Sequence, residues 1–242
     1  LAPFTRSIAH TAGWQWRIPL RERMGNGLVY SSQYMKDDEA MSTLAGSVNG
    51  EAFHEPRLIR FVPGRRRKQW HKNCVALGLA SGFLEPLEST SIHLIQQGII
   101  KLIRLFPQQH ILPGAVDEYN QQCKAELEHI RDFLILHYCV TERHDSAFWR
   151  HCQSMPIPDS LRHRIELFKQ TGSVFHSGKA LFEDSWQQVM LGQGLTPENY
   201  HPFADSLTQA ELEDFLSHVS GMFHRTVSGL PLHANYLTSR QH

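Results

Sequence analysis

A chain of 242 residues, 41% hydrophobic and 10% aromatic, has material for a sizeable core in one or two domains. Its 24 Lys and Arg residues balance 24 Asp and Glu residues, so no global field draws it to nucleic acid or an anionic membrane surface. No apolar run is long enough to span a bilayer, and four cysteines without CxxC spacing read as reduced thiols of an intracellular, cytoplasmic protein. Nothing resembles a signal peptide. The chain opens on Leu1 and runs almost at once into a patterned segment, from which we expect part of a longer protein.

Gly13-Trp14-Gln15-Trp16-Arg17-Ile18-Pro19 alternates large apolar with polar residues, the period of a half-buried strand. Gly25-Asn26-Gly27 reads as a turn and Leu28–Ser32 as a second strand, together an antiparallel hairpin. Asp37, Asp38 and Glu39 place acid in the first turn of a short helix with Met41, Leu44, Ala45 and Val48 as its stripe and Asn49-Gly50 as its stop. Leu58–Val62 is expected to form another strand, and Cys74–Gly82 a buried strand running into a glycine-rich turn. Gly64-Arg65-Arg66-Arg67-Lys68 is a local basic cluster whose bland reading is a solvated turn.

From Ile92 onward the spacing turns helical. Ile92, Ile95, Ile99, Leu102, Ile103 and Phe106 share a face, and Gly98 inside it, at a cost of about 1 kcal/mol against alanine, implies close packing. Val116, Tyr119, Cys123, Leu127, Ile130, Leu134 and His137 mark a long amphipathic helix. Pro158-Asp159 opens another, with Leu161, Ile165 and Phe168 inward. Thr208 and Glu211 form a capping-box pattern ahead of Leu212, Phe215, Leu216, Val219 and Met222. The fold class is therefore α+β: short antiparallel strands in a first part over residues 1–92, then a mainly helical part over 93–242.

The stretch with most chemistry is Gly82-Phe83-Leu84-Glu85-Pro86-Leu87-Glu88-Ser89-Thr90-Ser91-Ile92, a loop entering a helix. Ser89, Thr90 and Ser91 are all competent caps, and unpaired N–H groups at such a terminus make a ready anion site. Glu85 and Glu88 either complement the helix dipole or serve as acid/base groups beside a bound anion or cofactor. Composition and spacing leave both readings open. Trp14 and Trp16 stand between simple core packing and a binding role in the same way.

Two segments carry a family resemblance. Gly13-Trp14-Gln15-Trp16-Arg17-Ile18-Pro19 resembles the Gly-Trp-x-Trp-x-Ile-Pro signature of flavin-dependent tryptophan halogenases, and Gly78–Thr90 resembles their flavin and halide loop. Gly64–Lys68, Phe148-Trp149-Arg150 and Ser185-Trp186-Gln187 fit the same family. The resemblance implies a fragment of a flavin monooxygenase-like fold in which reduced FAD and dioxygen convert chloride or bromide to a hypohalous acid, directed onto an aromatic carbon of an indole- or tryptophan-like substrate. It implies Glu88 as the catalytic glutamate, Thr90 and Ser91 as backbone donors to halide, Leu79 and Ile92 as flavin contacts, and Trp14 and Trp16 as the pair between substrate and flavin. Some members carry glycine where this chain has Ser91. It further implies a separate flavin reductase, while a homodimer stays open. No Gly-x-Gly-x-x-Gly fingerprint occurs, and no lysine here is assigned the catalytic role, both belonging to a front half that this sequence does not contain. The chain alone is thus expected neither to hold FAD tightly nor to halogenate.

Sixteen histidines invite a metal reading, but without HExxH or CxxC the expectation is no metal site; His137, His144 and His151 are merely heptad-like. Ser81 and the run Gly172-Ser173-Val174-Phe175 lack the setting of a hydrolase nucleophile. Trp149 and Trp186 are expected in the helical core. The alternatives to a halogenase are a related flavin monooxygenase that never oxidises halide, and an inactive helical interaction module left by truncation.

Overall fold

The computed structural model describes residues 2–174 and 183–239; Leu1 and Phe175 lie outside them. The chain forms two compact units, one of residues 1–51, 168–173 and 197–242, the other of 52–167 and 174–196.

The first unit begins with a three-stranded antiparallel meander of β1 (Arg6–His10), β2 (Gly13–Pro19) and β3 (Met24–Tyr30). Trp14 lies opposite Ala9 and Val29, and Trp16 opposite Ser7 and Gly27. Gly25-Asn26-Gly27 is not the turn expected of it; it lies within β3, and the chain reverses over Leu20–Arg23, where the Leu20 N–H donates to the Arg23 carbonyl at 2.8 Å. The reason is steric. A Cβ on Gly27 would stand 2.2 Å from Cζ2 of Trp16, so the two glycines make room for an indole across the sheet.

The half-buried alternation expected of β2 is also incomplete. Gln15 is buried as fully as Trp14, because its amide donates to Ser47 Oγ at 2.8 Å and its carbonyl oxygen meets His10 Nε2 at 3.1 Å. Ser47 ends α1 (Asp37–Ser47), which covers this face of the strands, and Tyr30 donates to Asp37 at 2.6 Å. Ala40, not Met41, is the buried residue of α1. Beyond residue 197 this unit holds α7 (Gln209–Ser228) and α8 (His233–Ser239). The expected capping box is present: Thr208 N–H donates to Glu211 Oε2 at 2.8 Å and Glu211 N–H to Thr208 Oγ1 at 3.3 Å.

The second unit is helical, with short two-residue ladders ahead of the helices. β4 (Gly64–Arg65) pairs with β7 (Gly82–Phe83), and β5 (Trp70–His71) with β6 (Cys74–Val75). The strand expected over Leu58–Val62 is irregular. Its side chains face solvent, and the Phe61 ring packs edge-on to Phe83 at 5.1 Å. Nor is Cys74–Gly82 one buried strand, since Gly78 takes φ +60 and turns the chain into a short 3-10 helix over Gly78–Ala80.

Among the described residues the core here is built by α3 (Pro113–Cys139), α4 (Ala147–Ser154), α6 (Glu183–Gly192) and the first turns of α5 (Asp159–Thr171), which bury Leu161 and Ile165 as expected, with α2 (Ser91–Arg104) against α3 through Gly98. α3 buries Tyr119, Cys123, Leu127, Ile130, Phe133 and Leu134 as its period requires. Trp149 and Trp186 are core residues, and Phe133 packs on Trp186 with centroids 4.9 Å apart. Gly98 of α2 is buried where a Cβ would lie 2.9 Å from Leu77 Cδ2 and 3.4 Å from the Tyr119 hydroxyl, the close packing its position implied. Among the described residues no helix is long and apolar enough to cross a membrane.

Candidate functional site

The loop from Gly78 to Thr90 is held by its backbone before any side chain acts. Ser81 donates through N–H and Oγ to the Gly78 carbonyl at 2.9 and 2.7 Å, closing the 3-10 turn. Arg66 then grips the loop from outside, its N–H donating to the Ser81 carbonyl at 2.9 Å and its Nε to the Ala80 carbonyl at 2.5 Å. Arg65 is tied to Glu128 of α3 at 2.9 Å. The basic cluster is thus a clamp on the loop as well as a solvated turn. Gly82 completes the frame, since a Cβ there would meet the Gly64 carbonyl oxygen at 2.9 Å and the Arg65 backbone at 3.1 Å.

Pro86–Glu88 forms one further 3-10 turn, and Ser89 follows in the left-handed region at φ 53, ψ 34. Thr90 is the N-cap of α2, yet its φ −80, ψ −4 is already helical, and its hydroxyl makes no capping bond. Side-chain capping, expected from Ser89-Thr90-Ser91, therefore does not occur. The first-turn N–H groups of Ser91, Ile92 and His93 meet no acceptor among the described residues, and the N-terminal end of the helix dipole stays open. Such a terminus attracts a small anion. Leu79 and Ile92, each 71% exposed, leave apolar side chains on the surface of this region.

Glu88 is placed by α3. Its Oε1 lies 2.9 Å from Nε2 of His137, while His137 Nδ1 lies 2.8 Å from the Phe133 carbonyl oxygen. The neighbouring Tyr138 hydroxyl donates to Oε1 of Glu85 at 3.3 Å. Consecutive residues in the last turn of α3 thus engage both carboxylates of the loop. Behind them stands an aromatic cluster: Tyr138 stacks on Trp149 at 6.0 Å, Phe148 meets Trp149 edge-on at 5.0 Å, and Arg143 sits over Trp149 at 5.2 Å.

The structure brings Glu88, Thr90, Ser91, Leu79 and Ile92 onto one loop and helix start, all within the second unit. Trp14 and Trp16 belong to the first unit, Trp14 buried and Trp16 half-buried in the meander. His137 is the residue that sequence reasoning missed. Its helical spacing marks only a face of α3, and nothing local in the sequence pairs it with Glu88.

Known proteins share this arrangement of elements. The family model for tryptophan halogenase matches residues 1–209. The chain is 56% identical to a flavin-dependent halogenase from Xanthomonas campestris, with a TM-score of 0.95 over 98% of this chain and 48% of that one. It is similar to BrvH, a flavin-dependent halogenase from Brevundimonas sp. BAL3, at 45% identity and a TM-score of 0.94 over 98% of this chain and 49% of that one. It is also 39% identical over 199 residues to tryptophan 6-halogenase SttH of Streptomyces toxytricini, covering 80% of this chain and 38% of that protein. The chain therefore spans about half the length, or less, of these relatives.

Proposed function

The chain belongs to the tryptophan halogenase family, and from that premise we propose that the protein carrying it is a flavin-dependent halogenase that replaces a ring hydrogen of an indole-type aromatic substrate by chlorine or bromine. The observation that carries this reading is the placement of Glu88 immediately before a helix N-terminus whose N–H groups are left open. A carboxyl group and an anion site in one short loop are what halide oxidation and aromatic substitution need side by side.

Leu79 and Ile92, largely exposed beside that terminus, fit the apolar face of a flavin, and they would hold FAD there. When bound and reduced, FAD supplies, with dioxygen, the oxidising equivalents that turn halide into an electrophilic halogen. The chain's own residues do the rest. The N–H groups of Thr90 and Ser91 bind halide at the positive end of the α2 dipole. Ser91 in place of glycine keeps the donor, since the bond is to backbone. When the carbon–halogen bond forms, the ring carbon releases its proton, and the Glu88 carboxylate accepts it. Electrons come from a separate flavin reductase, and four unpaired thiols fit a cytoplasmic setting.

The test uses the whole protein that carries this sequence, supplied with FAD, a flavin reductase, NADH, bromide and indole, with products read by mass spectrometry. Brominated indole is expected from the wild type and none from Glu88→Gln. Flavin oxidation without halogenated product, across a panel of aromatics, overturns the reading.

A further inference from the structure

The geometry points to His137 as the positioning residue for Glu88: its imidazole bridges the Phe133 carbonyl and one carboxylate oxygen, and so presents the other oxygen of Glu88 to the substrate. The inference rests on the reading of Glu88 given above and extends it to a residue with no part in the two signature segments.

A carbonyl oxygen only accepts, so His137 Nδ1, 2.8 Å from the Phe133 oxygen, is the protonated nitrogen. That leaves Nε2 alone to face Oε1 of Glu88 at 2.9 Å. Two lone pairs at that separation repel, so the contact holds one proton between them, and Oε1 is committed to it. Glu88 Oε2 meets no partner among the described residues and is the oxygen left for chemistry.

The imidazole has little freedom to release Glu88. Its ring is packed edge-on against Phe133 at 4.8 Å, and Phe133 is in turn packed on the fully buried Trp186. It sits in the last turn of α3, a regular helix that holds the ring in place. On the loop side, Glu88 ends a 3-10 turn that Pro86 begins, and Ser89 at φ 53 fixes the chain direction just after it. Two rigid elements therefore set a single carboxylate orientation, and the His137–Glu88 hydrogen bond is the link that fixes it. Tyr138 braces Glu85 beside it, so the loop has a second tie to α3 and does not depend on His137 for its course.

The experiment is a steady-state comparison in the whole protein of three variants with Glu88→Gln as reference. His137→Phe keeps the ring volume against Phe133 and removes both hydrogen bonds. His137→Gln places an amide N–H near the Nε2 position and keeps the donor to Glu88. His137→Asn reaches only the Nδ1 position. We expect kcat for halogenation to fall about tenfold to a hundredfold in His137→Phe with KM for the aromatic substrate nearly unchanged, because a carboxylate misplaced by about 1 Å loses that much. His137→Gln should recover most of the loss and His137→Asn should not. A purely structural role for the histidine would move KM, kcat and melting temperature together and would not distinguish glutamine from asparagine. Should His137→Phe fail to fold, the glutamine and asparagine variants carry the comparison by themselves. Full kcat in His137→Phe, or equal loss in the glutamine and asparagine variants, overturns the inference while leaving Glu88 in place if Glu88→Gln is dead. An active Glu88→Gln overturns the parent reading instead.

Discussion

Burial pushes the thiols of Cys139, at the end of α3, and Cys152, on α4, from the usual 9.0 up to about 11, the proximity of Cys139 contributing at Cys152. A thiol whose pKa is raised on folding keeps its proton in the native state at a pH where the unfolded chain has lost it. Its contribution to stability is therefore fully present below pH 9 and is lost as pH rises through about 11. The melting temperature should fall across that window, and a Cys139→Val/Cys152→Val double variant should fall less steeply, since other groups also titrate there and only the difference reports the thiols. Parallel curves for the two proteins would show that the thiols are not buried as described. The same scale shows what a sequence hides. The loop that holds Glu88 was legible as a loop entering a helix because it is contiguous, while the role given to Glu88 came from the family resemblance. His137 was not legible, because its partner lies on another element and the pairing exists only once α3 is laid against the loop.

At the scale of elements, chain direction in the loop depends on the β4–β7 ladder, where Gly82 faces Arg65 across a two-residue pairing. The atoms nearest a Cβ at Gly82 are backbone, the Gly64 carbonyl oxygen at 2.9 Å and the Arg65 Cα at 3.1 Å, so no rotamer change can make room. Gly82→Ala should cost about 1–3 kcal/mol, as overpacking does, read as a lowered melting midpoint. Because the Arg66 clamp on Ser81 and Ala80 is attached to the same ladder, halogenation should fall as well. An alanine variant with unchanged melting and unchanged turnover would mean that the ladder does not frame the loop. Gly98→Ala makes a useful contrast. There the nearest atom is the far end of a flexible Leu77 side chain, and the gain in helix propensity of about 1 kcal/mol offsets the shift. Elements with a strong period or cap were legible: α3 from its buried stripe, α7 from Thr208 and Glu211, and the hairpin from the alternation in β2. Those decided by a distant contact were not. Glycines 25 and 27 look like a turn until the Trp16 indole is placed over them, and Leu58–Val62 has strand composition but forms no strand and leaves its side chains exposed.

At the scale of the whole molecule, the relatives are about twice as long as this chain, and no Gly-x-Gly-x-x-Gly nucleotide fingerprint occurs in its 242 residues. The first unit also carries more exposed apolar surface than its sequence pattern leads one to expect. α7 has the cap and period of an amphipathic helix, but Phe215, Leu216, Met222, Phe223 and Val227 all face solvent among the described residues. In the second unit Ile92, Ile99, Ile103 and Phe106 do the same along α2 and just past it. A periodic apolar stripe announces burial without saying against what, and among the described residues nothing covers these side chains. Produced by itself, the chain should therefore bind a hydrophobic dye such as ANS strongly, associate with itself at micromolar concentration, and show no flavin-saturable halogenation. Joined to the part of the Xanthomonas campestris halogenase that this chain does not cover, a relative 56% identical to it, it should lose dye binding and gain bromination of indole. Turnover that saturates with flavin in the isolated chain would show that these 242 residues already contain a complete flavin site. Dye binding that persists in the joined protein would show instead that α7 and α2 face some other partner.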